Sequence, residues 1–274
     1  MAIANVNGIN IHYEDRGQGD AIVWIAGTGI DGGIWDLWQS PHFEPRYRCI
    51  TFDLRGTGSS DAPETGYSVR TFTDDVIGLV DHLGLETAHF VGVSLGSAII
   101  QELALARPDI VRSAVMVSTW SSTRREAHIR RWFEARLTTL RSGAPIDVFR
   151  AFAFWMSSPT IIDMEPNLQS QVENFFAAHS ATQPKHAYIG HFEADLQHDT
   201  MDRLGDIICP TLVVYGEEDL ITLPRYNETV ADRIPGAQRK VIAAAGHFAW
   251  VERGEQLNEI IDQFLLEVES VDQI

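Results

Sequence analysis

A serine, an aspartate and a histidine that lie far apart in the chain could together carry acyl transfer. Ser94 stands at the centre of Phe90-Val91-Gly92-Val93-Ser94-Leu95-Gly96-Ser97-Ala98. A serine hydroxyl is a weak nucleophile at neutral pH, so it needs a neighbouring base, and that base benefits from an acid that fixes its tautomer. Asp219, in Gly216-Glu217-Glu218-Asp219, is the candidate acid, and His247, in Gly246-His247-Phe248, is the candidate base. Each has a plainer explanation. Gly-x-Ser-x-Gly also describes a glycine-bracketed turn with a capping serine. An aspartate after a strand is commonly a turn or cap residue, and Glu217 and Glu218 compete with it. A loop histidine is more often structural, and the chain has 10 histidines. The three in nested order are far harder to attribute to coincidence than any one.

The elements that must position them can be read from pattern. Ala88 to Val91 is an apolar run fit for a buried strand, and Leu95 to Ala106 is apolar at helical spacing. A serine on so sharp a strand-to-helix turn has strained backbone, and the flanking glycines remove Cβ atoms that would clash. The helix after it aims free N–H groups and its positive dipole end at the same spot. Acid and base should sit at the C-terminal ends of later strands, which share one rim of a parallel sheet. Thr211 to Tyr215 and Gln238 to Ile242 read as those strands, ahead of Asp219 and His247 respectively. The order Ser, Asp, His matches that of nucleophile-elbow enzymes. An oxyanion hole needs two backbone donors. The N–H of Leu95 supplies one, and Thr28, in the loop after the apolar run Ala21 to Ala26, is expected to supply the other.

The rest of the chain fits an α/β fold with a mostly parallel, doubly wound sheet. Asn7-Gly8 between apolar segments predicts an N-terminal hairpin, Ala2 to Val6 with Ile9 to Tyr13. Strands follow at Ala21–Ala26, Tyr47–Phe52 and Val111–Val117, and a helix spans Phe72–Leu83. Strands and helices alternate as far as Val117, and the alternation resumes near Asp202 with a helix at Arg225–Ile234 and a closing helix at Glu255–Val268. The expected division is a core of residues 1–118 and 203–274 with a helical lid, residues 119–202, inserted in it. The lid is rich in aromatics, among them Trp132, Phe133, Phe149, Phe175 and Phe176, and is interrupted by Pro145, Pro159, Pro166 and Pro184. Trp120, Trp155 and Phe248 are the expected lining of an apolar substrate pocket. Arg124, Arg125, Arg130, Arg131 and Arg136 form a basic run. One of them could receive a substrate carboxylate, although such runs are commonly solvated faces paired with residues such as Glu126 and Glu134.

Composition excludes other classes. The net charge is −17, which argues against nucleic acid and anionic membrane surfaces as partners. No apolar run approaches the length of a membrane span. Met1 to Gly8 carries no basic n-region, so a cytoplasmic protein, monomer or homodimer, is expected. Cys49 and Cys209 fit no metal spacing and read as buried free thiols. His191, Asp195 and His198 read as helix-surface residues rather than a metal site. Gly27-Thr28-Gly29-Ile30-Asp31-Gly32, with Asp53 further on, formally fits a dinucleotide fingerprint. The segment after it is broken by Pro41, and Asp53 leads into a tight glycine loop, so no nucleotide and no other cofactor is expected.

Taken together, Gly27-Thr28-Gly29, Asp53-Leu54-Arg55-Gly56-Thr57-Gly58-Ser59-Ser60, the Ser94 elbow, Pro210 to Asp219 and Gly246-His247 resemble the α/β-hydrolase superfamily over essentially the whole chain. The stretch from His191-Phe192-Glu193-Ala194-Asp195 to Cys209 looks most like hydrolases of the 3-oxoadipate enol-lactonase and aminoacrylate-hydrolase type. The resemblance implies hydrolysis of a small ester or lactone without a cofactor, through Ser94, His247 and Asp219. Two other activities remain open: C–C bond hydrolysis of ring-cleavage products with the same triad, and a non-catalytic receptor role. Where many members have His-Gly after the third strand, this chain has Ala26-Gly27, which keeps the backbone donor and loses a side chain.

Overall fold

A computed structural model describes residues 2–165, 167, 170, 174 and 183–272. The described residues form an eight-stranded sheet: β1 (Ala2–Val6), β2 (Ile9–Gly17), β3 (Ala21–Ile25), β4 (Arg48–Phe52), β5 (Ala88–Val93), β6 (Val111–Val117), β7 (Thr211–Gly216) and β8 (Gln238–Ile242). The spatial order is β1-β2-β4-β3-β5-β6-β7-β8. β1 pairs with β2, and β2 with β4, antiparallel, while every other neighbour runs parallel.

β3, β5 and β7 are buried along their whole length, which is why they read as unbroken apolar runs. Their side chains alternate between two apolar layers. The short helix α1 (Ser40–Phe43) lies between β3 and β4, and Val23, Ile25, Phe90 and Met116 face one layer, against α2 (Val69–His82) and α3 (Leu95–Ala106). Trp24, Val91, Val115 and Val214 face the other, which includes Leu257, Ile261 and Phe264 of the C-terminal helix Gly254–Asp272. Cys49 and Cys209 are buried and unpaired.

Several boundaries differ from the sequence pattern. β2 continues past Tyr13 to Gly17, because Asp15 and Arg16 pair across to β4, where Arg48 donates to Asp15. Such polar pairing leaves no apolar signal. α2 begins at Val69, where the Ser68 hydroxyl accepts from the amide of Thr71 at 3.0 Å.

Between β6 and β7 the chain forms helices α4 (Ala127–Ser142), α5 (Pro145–Met156), α6 (Pro159–Met164) and α7 (Lys185–Gln197). α4 packs on α7. Pro145 and Pro159 stand in the first turns of α5 and α6, where the missing N–H costs nothing. Pro166, Phe175, Phe176 and the side chain of Phe149 lie outside the described residues.

Candidate active site

The elbow is built by close approach. Ser94 has φ 53° and ψ −119°, a conformation that costs a non-glycine residue about 1–3 kcal/mol. A Cβ on Gly96 would stand 2.3 Å from the carbonyl oxygen of Ile25, and one on Gly92 would stand 2.6 Å from the carbonyl carbon of Gly96. Only glycine fits either place. The carbonyl of Ser94 accepts from the amide of Ser97 at 2.8 Å and from its hydroxyl at 2.6 Å, which fixes the first turn of α3.

Asp219 lies past the end of β7, and both its oxygens are used. Oδ1 accepts from the amides of Ile221 and Thr222 at 2.8 and 2.9 Å. Oδ2 accepts from the Thr222 hydroxyl at 2.7 Å and pairs with Nδ1 of His247 at 2.9 Å. Because the carboxylate accepts throughout, Nδ1 carries the imidazole proton and Nε2 keeps its lone pair. Asp219 and His247 are both buried, and His247 opens with Ser94 onto one cavity. The two share no direct hydrogen bond in this conformation; catalytic contacts of this kind commonly tighten only around substrate.

The cavity is open to solvent, and about 460 Å³ of space lies in it when the solvent at its mouth is counted. Gly27, Thr28, Ser94, Arg136, His247 and Phe248 line it, and much of the remaining wall is apolar, including Ile34, Phe133 and Phe192. The amides of Thr28 and Leu95 donate to no acceptor among the described residues, so both remain available for an oxyanion.

Of the three residues expected to line the pocket, Phe248 does so. Trp120 does not: it is fully buried behind the wall, its ring 5.4 Å from Phe133 and 5.5 Å from His198. Trp155 does not either. It is 48% exposed on the outer face of α5, edge-on to Phe154, while Met156 on the same helix reaches the cavity.

The basic run divides sharply. Arg124 pairs with Asp199, Arg125 with Asp202, and Arg130 and Arg131 with Glu134. Arg136 is 5% exposed and has no carboxylate partner within ion-pair distance among the described residues. It donates to the Tyr188 hydroxyl at 3.1 Å, and its guanidinium sits 4.8 Å from the centre of the Phe192 ring. The signal was in the sequence: Ile129, Phe133, Arg136, Leu137 and Leu140 are the buried face of α4 at helical spacing.

His191, Asp195 and His198 are buried and do not form a shared cluster. Nδ1 of His191 accepts from Gly29 N–H, its Nε2 donates to the carbonyl of Arg55, and His198 reaches Gln101. Burial pushes His191 and His198 down to about 4 and Asp195 up to about 8. Asp53 accepts from the amides of Gly32 and Ser59, so the residue of the dinucleotide fingerprint is occupied in holding two loops together.

Residues 26–253 match the family model for the alpha/beta hydrolase fold. The chain belongs to this family. Among its α/β-hydrolase relatives, BpoC of Mycobacterium tuberculosis, whose name proposes a non-heme bromoperoxidase, is 32% identical over 267 residues, covering 96% of this chain and 100% of that one. A solved structure described as Est816, an N-acyl homoserine lactone degrading enzyme, is 31% identical with a TM-score of 0.83, over 96% of this chain and 100% of the other. The enol-lactonase from Burkholderia xenovorans LB400 is 25% identical with a TM-score of 0.85, over 97% and 100%. No helix among the described residues is long and apolar enough to cross a membrane.

Proposed function

We propose that this α/β hydrolase cleaves a small carboxylic ester or lactone. Ser94 Oγ attacks the carbonyl carbon as His247 Nε2 takes the hydroxyl proton. Asp219 holds the imidazole and stabilises its cation. The amides of Thr28 and Leu95 receive the developing oxyanion. Collapse expels the alkoxide, which takes the proton from His247 and leaves an acyl group on Ser94. Water, deprotonated by His247, attacks that acyl carbon; the acid departs and the proton returns to Ser94.

The observation that carries this reading is the buried Asp219–His247 pair, 2.9 Å apart, opening onto the cavity that holds Ser94. The lactone-cleaving activities in the names of two structural relatives agree with it. Helices α4 to α7 act as a lid on the cavity, since α4 and α7 contribute Phe133, Arg136 and Phe192 to its wall. Arg136, a buried cation with no carboxylate within ion-pair distance among the described residues, favours a substrate bearing a carboxylate beside the scissile bond.

Turnover of p-nitrophenyl acetate tests the proposal. Ser94→Ala is expected to lower kcat by on the order of 10⁴ to 10⁶. Near-normal hydrolysis by that variant rejects the scheme.

A further inference from the structure

The loop Gly27-Thr28-Gly29 has little to hold it from within. Two of its three residues are glycines, Gly29 has φ +68°, and Ala26 before it offers no polar side chain. It is held instead from α7 and the segment leading into it. The Thr28 hydroxyl donates to Oδ2 of Asp195 at 2.8 Å, Gly29 N–H donates to Nδ1 of His191 at 3.2 Å, and Gln183 Nε2 donates to the Gly29 carbonyl at 2.7 Å. The Tyr188 ring fills the place a side chain on Gly29 would take, 1.8 Å from that Cβ position. His191 is itself anchored through Nε2 to Arg55.

Asp195 is costly where it stands. It has no exposed surface, no salt bridge among the described residues (the Arg136 charge acts on it only from beyond ion-pair distance), and its Oδ1 has no hydrogen-bond partner. Burying a carboxyl group with one bond satisfied is unfavourable, and an apolar residue would fill the space without that cost. The one side-chain bond it makes goes to Thr28, whose amide faces the oxyanion position of the proposed mechanism.

We infer that Asp195 and His191 are positioning residues that set the oxyanion loop, so that α7 is part of the apparatus that stabilises the transition state. This rests on the proposed hydrolase mechanism. A displacement of about 1 Å at such a donor costs on the order of 10²-fold in rate. With its carboxyl pushed up to about 8 by burial, Asp195 is largely protonated at neutral pH. Asparagine is then its nearest substitute, because Oδ1 of the amide still accepts from Thr28.

The test is a cycle on Thr28 and Asp195, reading kcat and KM for p-nitrophenyl acetate and the rate at which a fluorophosphonate labels Ser94. Thr28→Val keeps the amide and the shape while removing the hydroxyl. Thr28→Val and Asp195→Val are each expected to lower kcat about 10- to 100-fold, with KM within about twofold and Ser94 labelling slowed in parallel. Thr28→Ser and Asp195→Asn, which keep the bond, are expected to return kcat to within about threefold of wild type, and the double valine variant to lose no more than either single one. Should Asp195→Val fail to fold, the contrast between Thr28→Val and Thr28→Ser still decides. Unchanged kcat in Thr28→Val, losses that multiply in the double variant, or a folded Asp195→Asn as slow as Asp195→Val overturns the inference. A wild-type protein that turns over no ester overturns the hydrolase reading itself, whereas an active wild type with an unaffected Thr28→Val overturns only the assignment of the loop.

Discussion

His247 can serve as a base only in the tautomer that leaves Nε2 free, and Asp219 enforces it by accepting from Ile221, Thr222 and Nδ1 of His247 at once. Asp219→Asn presents an amide that can donate to Nδ1 and so favours the wrong tautomer. It is expected to lower kcat about 10³- to 10⁴-fold with little change in KM, measured by steady-state kinetics. Arg136→Gln is expected to raise KM at least about tenfold for esters bearing a carboxylate, while leaving neutral esters within about twofold; equal effects on both would remove the arginine from substrate recognition. Ser94, Asp219 and His247 were legible because turn geometry and position after a strand constrain each one locally. Among the five arginines of the run, Arg136 stood apart in sequence only through its place on the apolar stripe of α4. What distinguishes it in space is that no carboxylate among the described residues lies within ion-pair distance, whereas Asp199 and Asp202, which neutralise Arg124 and Arg125, lie about 75 residues away in the chain. Trp120 and Trp155 misled for a related reason: an aromatic near a strand end says nothing of which way its ring turns.

The strand–elbow–helix unit is the most fully specified element. Its dihedral strain and its two glycines serve one purpose, to bring α3 against the end of β3. Gly96→Ala forces a methyl to within 2.3 Å of the Ile25 carbonyl, against backbone that cannot step aside. A loss of at least about 1–3 kcal/mol is expected in urea denaturation, with kcat falling more than KM rises because the elbow shifts with it. The element boundaries that sequence missed were those set by partners. β2 is extended past Tyr13 by charged residues pairing across to β4, which leaves no apolar alternation, whereas β8, an edge strand whose first four residues are exposed, has the bounds read from sequence. α7 was readable as a helix, but its tie to the loop after β3 spans more than 160 residues of chain and has no local signature.

Across the whole molecule, buried ionisable groups give stability a two-sided dependence on pH. His191 and His198 are held from 6.5 down to about 4. Between those values the unfolded chain takes up protons that the folded chain refuses, so their contribution is complete above 6.5 and is lost as pH falls through that window. Asp195 and Glu252 run the opposite way. Burial raises them from 3.8 to about 8 and from 4.5 to about 7, so their contribution is complete below those ordinary values and is lost as pH rises from them to the raised ones. Glu252 accepts from the amides of Gly246, beside His247, and Ser158, at the start of α6. Glu252→Gln removes its titration. The stability of that variant relative to wild type is expected to improve between pH 5 and 7 by up to about 1.4 kcal/mol per pH unit, read from urea midpoints; a flat difference would show that Glu252 does not hold its proton in the folded protein.

The central claim is that an acyl group passes through Ser94. Rapid acid quenching during turnover of p-nitrophenyl acetate, followed by mass spectrometry of the digested protein, tests it directly. The account predicts an acetyl group on the peptide that carries Ser94, formed in a burst and absent from Ser94→Ala and His247→Ala. Steady hydrolysis with no acyl group on that peptide, undiminished in Ser94→Ala, would contradict it.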